Sequence, residues 1–247
     1  MTKLYANIGI AHENNTSILE QRVIAAAQCN ADAVVINKST PHLVIPEQKR
    51  YVAIPSRWGT KSYLDVARLS ELDTDSTEFL CDLCEQIGIP VIWSVTDSAA
   101  ADFVKSHASA RTVKLHHDSV NTTELAEFCH RNFEHVIYNT AALPWVEKTH
   151  GVNRRNFSVY YTTDQFPPEV AQMQLSNIDR LLEQRYTTGY ESRDSGVFPS
   201  VAVAYKSVDY IEKYLGDTDS NNPAVLTPDQ FYDFYKYLEI LGDAHCT

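Results

Sequence analysis

Eight short β-rich runs, spaced along the whole chain with helical patterns between them, limit its possible folds most. The runs lie at 4–10, 32–38, 90–95, 112–117, 135–140, 157–163, 185–191 and 209–215. Between them, apolar residues recur near every 3.6 positions at 17–29, 76–88, 121–132 and 169–184. Thr16, Asp75, Asn121 and Thr227 are expected N-caps, and Gly88 an expected C-terminal cap. Eight strands alternating with helices predict an α/β chain folded as a (β/α)8 TIM barrel. An open doubly wound sheet alternates in the same way. No G-x-G-x-x-G follows any of the runs, which argues against a dinucleotide-binding sheet.

No repeat, low-complexity linker or shift in composition divides the 247 residues, so a single domain over 1–247 is expected. Hydrophobic residues at 44% and charged residues at 21% are enough for a sizeable core without disorder. The connection 39–74 is long for a βα loop and carries Pro41, Pro46 and Pro55. Long connections in compact domains are often functional, and this one is expected to cover one end of the barrel. The formal net charge of −11 argues against a nucleic-acid partner, which needs a basic face. No apolar run approaches the length of a membrane span, and no apolar leader opens the chain, so a soluble, cytoplasmic protein is expected. Five cysteines, an odd number in a long chain, do not suggest a disulfide framework. Cys81 and Cys84 form a C-x-x-C inside a helical pattern and read as two thiols on one helix face.

The run 112–117 ends in Lys114, His116, His117 and Asp118. Buried charge without a partner is costly, so these groups are either solvated at a loop mouth or held for chemistry. In a barrel the C-terminal strand ends build the active face. Lys114 and His116 are two apart and share a side of the strand, while His117 is expected to point toward the helices if the strand reaches it. The same period-two reading turns Asn7, Asn37, Ser94, Glu191, Arg193 and Tyr214 toward the barrel centre. Lys114 and Arg193 suit a phosphate or carboxylate, and Glu191 with His116 suits an acid–base pair. The competing reading is a self-neutralising network in which Glu191 pairs with Lys114 or Arg193 and no turnover occurs.

The ordered series "ANIGIAH", "NADAVVIN", "VKLHHDS", "FPPEVAQMQLSNIDRLLEQ", "TGYESRDSGVFPS", "DYIEKYLGD" and "AVLTPDQF" resembles the sialic acid synthase (N-acetylneuraminate synthase) family. That resemblance implies a TIM barrel, usually followed by a small antifreeze-like domain. It also implies condensation of phosphoenolpyruvate (PEP) with an amino sugar on a divalent metal, commonly manganese, held by two histidines. The chain stops after its last helical pattern, so no antifreeze-like domain is expected within it. The family's metal histidines fall on Arg193 and Tyr214. Its catalytic and polar positions fall on Asn7, Val35, Ser119 and Asn221. Lys114 matches the phosphate-facing lysine, with Ser94 and Asn139 as polar contacts, and His12 matches a loop histidine. A permanently protonated guanidinium repels a metal, and a neutral phenol is a poor ligand. No bound metal or other cofactor is therefore expected. His116 and Glu191 are the candidate catalytic pair. The candidate ligand-binding set is Lys114, Arg193, Ser94, Asn139, Asn7, Asn37 and Tyr214.

These observations imply a divergent sugar acid synthase-like barrel that binds a small anionic, sugar-like ligand. A second implication, from another class, is a non-catalytic subunit that pairs with itself or with an intact synthase. The third is an ordinary manganese-dependent synthase whose ligands lie at other positions.

Overall fold

The computed structural model describes residues 2–141, 154–216 and 222–245. Its strands in chain order are β1 (Lys3–Gly9), β2 (Ala33–Lys38), β3 (Ala53–Ile54), β4 (Lys61–Ser62), β5 (Val91–Val95), β6 (Thr112–Leu115), β7 (His135–Thr140), β8 (Phe157–Tyr161), β9 (Thr188–Ser192), β10 (Tyr210–Leu215) and β11 (Val225–Leu226). Eight of them, β1, β2, β5, β6, β7, β8, β9 and β10, pair in parallel in that order, and β1 closes on β10. The barrel is therefore complete. Strand β11 adds beside β10, and β3–β4 is a separate antiparallel hairpin; neither was anticipated.

The helices include α1 (Thr16–Gln28), α2 (Pro41–Val44), α3 (Glu47–Arg50), α4 (Tyr63–Ser70), α5 (Thr74–Ile87), α6 (Ser98–His107) and α7 (Thr123–Asn132), of which α1, α5 and α7 lie on the apolar patterns. Leu19, Val23 and Ala26 of α1 and Leu80 and Cys84 of α5 face the outward side chains of the strands, such as Leu4, Ile36, Trp93 and Val113. This layer between barrel and helices is the main core. Several caps differ from the sequence expectation. Asn15, not Thr16, accepts the Ser17 and Ile18 amides, and Asp73, not Asp75, accepts the Ser76 amide. Thr122, not Asn121, precedes α7. Gly88 ends α5 with φ +82°, and Thr227 accepts the Gln230 amide, both as expected. The segment 169–184 is not one helix. A 3-10 turn, Val170–Gln172, is separated from the helix Ser176–Glu183 by Gln174 at φ +41°. Strand β9 begins at Thr188 rather than Arg185, whose φ of +57° turns the chain first.

The barrel interior is layered. Tyr5, Ala33, Val35, Ile92, Ile137, Tyr160 and Tyr210 fill its lower part with apolar surface. Above them the inward residues become polar. Gly189 makes the lower layer possible, because a Cβ there would lie 2.4 Å from the Tyr160 ring. The ring is fully buried and must shift to admit the methyl, so Gly189→Ala is expected to destabilise by about 1–3 kcal/mol. For a chain of this size that is roughly 2–4 °C of melting temperature per kcal/mol. A thermal melt within about 1 °C of the parent would mean that Tyr160 repacks freely.

The segment 39–74 is not an open loop. It carries α2, α3, the β3–β4 hairpin and α4. Arg57 at the hairpin tip pairs with Glu13, in the connection that leaves the C-terminal end of β1. That tie places the hairpin at the C-terminal end of the barrel. Among the described residues no helix is long and apolar enough to cross a membrane.

Candidate functional site

The polar layer is organised by strand register. Glu191 on β9 and Glu212 on β10 are direct neighbours. Two like charges side by side in a sheet repel, and Lys114, reaching in from β6, answers both. Its Nζ lies 2.9 Å from Glu191 Oε2 and 2.5 Å from Glu212 Oε1. All three side chains are essentially without solvent contact. Asn7 on β1 donates to Glu212 Oε1 at 2.5 Å. Asn139 on β7 donates to Glu191 Oε2 at 2.5 Å.

The other oxygen of Glu191 is held from above. Arg193 Nε donates to Oε1 at 2.9 Å, and the Tyr214 hydroxyl donates to the same atom at 3.0 Å. Arg193 also donates to the Thr163 carbonyl at 3.1 Å. Its Nη2 lies 3.0 Å from His117 Nδ1. His117 Nε2 in turn lies 3.1 Å from Asp118 Oδ1. The shorter contacts fit the neutral tautomer of His117 with Nδ1 accepting from Arg193 and Nε2–H donating to Asp118, while Arg193 Nη1 also lies 3.3 Å from Nε2.

The protonation states follow from this arrangement. Burial pushes the Glu191 carboxyl up, but Lys114 and Arg193 pull it down further, and it ends well below the usual carboxylate range. Burial pushes Glu212 up, and Lys114 only partly offsets this. Burial works against the Lys114 charge, yet the two carboxylates hold its pKa above normal. Burial, with His117 next, lowers His116 to about 4, so both rings are neutral near pH 7. With Glu212 ionised, two cations and two carboxylates balance.

Of the candidate residues, Lys114, Glu191, Arg193, Tyr214, Asn139 and Asn7 are brought into one connected network. Ser94 is buried beside Lys114 in register, and its Oγ has no hydrogen-bond partner among the described residues. Asn37 is half-buried; its amide would lie 3.8 Å from a Cβ at Gly9, beside Asn7. His116 turns its Nδ1 to the amide and carboxylate of Asp118 and, among the described residues, makes no direct hydrogen bond to Glu191. An ionised, fully bonded Glu191 is a weak base. The strand expected over 112–117 is shorter, and His117 lies beyond its end. Strand β6 ends at Leu115, so the period no longer sets the ring's direction, and the ring turns over the mouth to Arg193. Glu212 was missed, although the period-two reading that turned Tyr214 inward required it to point inward too. His12 accepts the Asn14 amide at 3.1 Å and so caps its loop. Asn221 lies outside the described residues.

The donor set does not fit a divalent metal at Arg193 and Tyr214. One is a permanent cation, burial raises the other phenol well above its usual pKa, and both are bonded to Glu191. His116, His117 and Asp118 do bring ligand-type atoms within 4.8 Å of one another. There the lone pair of His117 is engaged by a guanidinium, which repels a cation.

A closed (β/α)8 barrel with a charge-balanced polar mouth at its C-terminal strand ends is thus the class that fold and site define. The chain belongs to the NeuB family, whose model matches residues 22–239. Among solved structures it is similar to an N-acetylneuraminic acid (sialic acid) synthetase from Leptospira borgpetersenii serovar Hardjo-bovis. That match has 15% identity, a TM-score of 0.85, and covers 98% of this chain and 84% of that one. A putative spore coat polysaccharide biosynthesis protein E from Chromobacterium violaceum matches at 14% identity and TM-score 0.83, covering 98% and 75%. A truncated 3-deoxy-D-arabino-heptulosonate 7-phosphate synthase from Thermotoga maritima matches at 10% and 0.68, covering 98% and 87%. At such identities the likeness is one of fold. A search of curated proteins finds no match.

Proposed function

We propose that this chain is a sugar acid biosynthesis-type barrel that has lost metal-assisted PEP condensation and recognises a small, sugar-like anion at its mouth. One observation carries the reading: Arg193 and Tyr214, at the positions of the expected metal ligands, both donate to a single oxygen of Glu191. A hydrogen-bonded carboxylate stands where the resemblance implies metal chemistry. Family membership supports the substrate class. The Leptospira synthetase is a complex with citrate, a small polycarboxylate, which is in keeping with anion recognition by barrels of this shape. The ligand's carboxylate or phosphate would take donors from Lys114, Arg193 and Tyr214 in competition with Glu191.

The test has two parts. Protein purified without chelator should carry well under one manganese or zinc per chain and should not consume PEP with an amino sugar when manganese is added. A panel of PEP, phosphate and sugar acids should raise the melting temperature in a concentration-dependent way. Stoichiometric metal lost together with PEP consumption would establish the ordinary synthase instead. A second reading, a subunit that pairs with another copy or with an intact synthase, is favoured by the exposed Leu43, Tyr51 and Val52 on the 39–74 segment. Light scattering on the purified chain, alone and mixed with an intact synthase, separates the two readings.

A further inference from the structure

We propose that Glu191 is a tethered occupant of an oxyanion receptor, so that the mouth is filled by the chain's own carboxylate until a ligand displaces it. The proposal rests on the reading that the mouth recognises a small anion, and it says what stands in that ligand's way. Four donors from four parts of the barrel close on one carboxylate. Lys114 of β6 and Asn139 of β7 hold Oε2. Arg193, just past β9, and Tyr214 of β10 hold Oε1. An ammonium, a guanidinium, an amide and a phenol around a single pair of oxygens is the chemistry of a carboxylate or phosphate receptor.

Nothing in that donor set is particular to a glutamate side chain. Acetate, or two oxygens of a phosphate, can accept the same bonds. Glu191 contributes the tether, which gives it a high effective concentration at the site. A free ligand therefore binds only to the fraction of molecules in which Glu191 has swung away, and its apparent affinity falls by that fraction.

Two neighbours make the receptor specific. Glu212 cannot take over from Glu191, because it is held on the other side of Lys114 by Asn7. Without Glu191, two cations face one carboxylate, and the site carries an excess positive charge. Ser94 adds an unused hydroxyl beside Lys114. A carboxylate leaves that hydroxyl idle, whereas a tetrahedral oxyanion has further oxygens to offer it. The receptor is thus suited to a phosphate group at least as well as to a carboxylate.

The experiment is rescue of a truncated side chain. Glu191→Ala should melt below the parent. Formate, acetate or inorganic phosphate should then raise its melting temperature saturably, and chloride at equal ionic strength should not. Half-saturation should lie at least tenfold below that of any effect on the parent. Adding Lys114→Met should abolish the rescue. If Glu191→Ala is recovered unfolded, refolding from urea with and without acetate or phosphate is the readout, and recovery only with the oxyanion supports the proposal. No oxyanion-specific effect on melting or refolding, or equal half-saturation in variant and parent, overturns it. A rescued variant beside a parent that ignores PEP and sugar acids would keep the receptor and remove the ligand reading above.

Discussion

Lys114→Met is expected to destabilise the fold by about 3–5 kcal/mol, the usual loss when one partner of a buried ion pair is removed. The lysine answers two carboxylates that strand register places side by side. Methionine keeps much of the stem and leaves little cavity, so the loss reports charge rather than packing. Arg193 still holds Glu191 in the variant, but Glu212 keeps only Asn7. Glu212 should therefore take up a proton, which limits the loss. Combining Lys114→Met with Glu212→Gln should recover part of it, because a neutral amide in the same place needs no counter-charge. Urea unfolding of the parent, the single variants and the pair measures the coupling directly. A loss below about 1 kcal/mol for Lys114→Met, within the range of an ordinary substitution, would mean that the network is solvated and not the buried frame described above.

The barrel was legible because its signal is repeated. Eight apolar runs at regular intervals survive errors of a few residues at each end. The site was legible only where side-chain direction follows from strand period. Lys114, Glu191, Asn7 and Tyr214 met as expected because each lies within a regular strand. Arg193 lies one residue past the end of β9 and still turns inward to Glu191. His117 did not follow the period, because β6 stops two residues earlier and a turn sets the ring's direction. Its partnership with Arg193 joins residues 76 apart in sequence, and no local pattern encodes that. Glu212 was hidden for another reason. It stands inside "DYIEKYLGD", where the resemblance marks Tyr214, and its importance comes from the register that puts it beside Glu191. The caps at Asn15 and Asp73 slipped by one or two positions because adjacent polar residues compete for the same role, and only the backbone turn decides between them.

Acid should weaken the fold well before the Glu191 carboxylate is neutralised. Burial, with Arg22 next, lowers His12 to about 4, and burial with His117 lowers His116 to about 4. In the unfolded chain each ring titrates near 6.5. Between pH 6.5 and 4 the unfolded chain therefore holds protons that the folded chain refuses. Stability falls as pH falls through that window and is fully present above it. At about 1.4 kcal/mol per pKa unit the two rings together set an upper limit of several kcal/mol. His117 and His135, also lowered first by burial, act in the same direction. Glu71 and Glu212, raised first by burial, act in the opposite direction near the acid end. Glu191, held low, sustains the mouth until the pH is far more acidic. Urea unfolding at pH 7.0, 5.5 and 4.5 should thus show a steady decline with an unchanged m-value. His12→Gln and His116→Gln should each flatten the slope, since neither replacement titrates. A stability that is level from pH 7 to 5, or a slope that both variants leave intact, would show that the two histidines charge freely in the folded barrel.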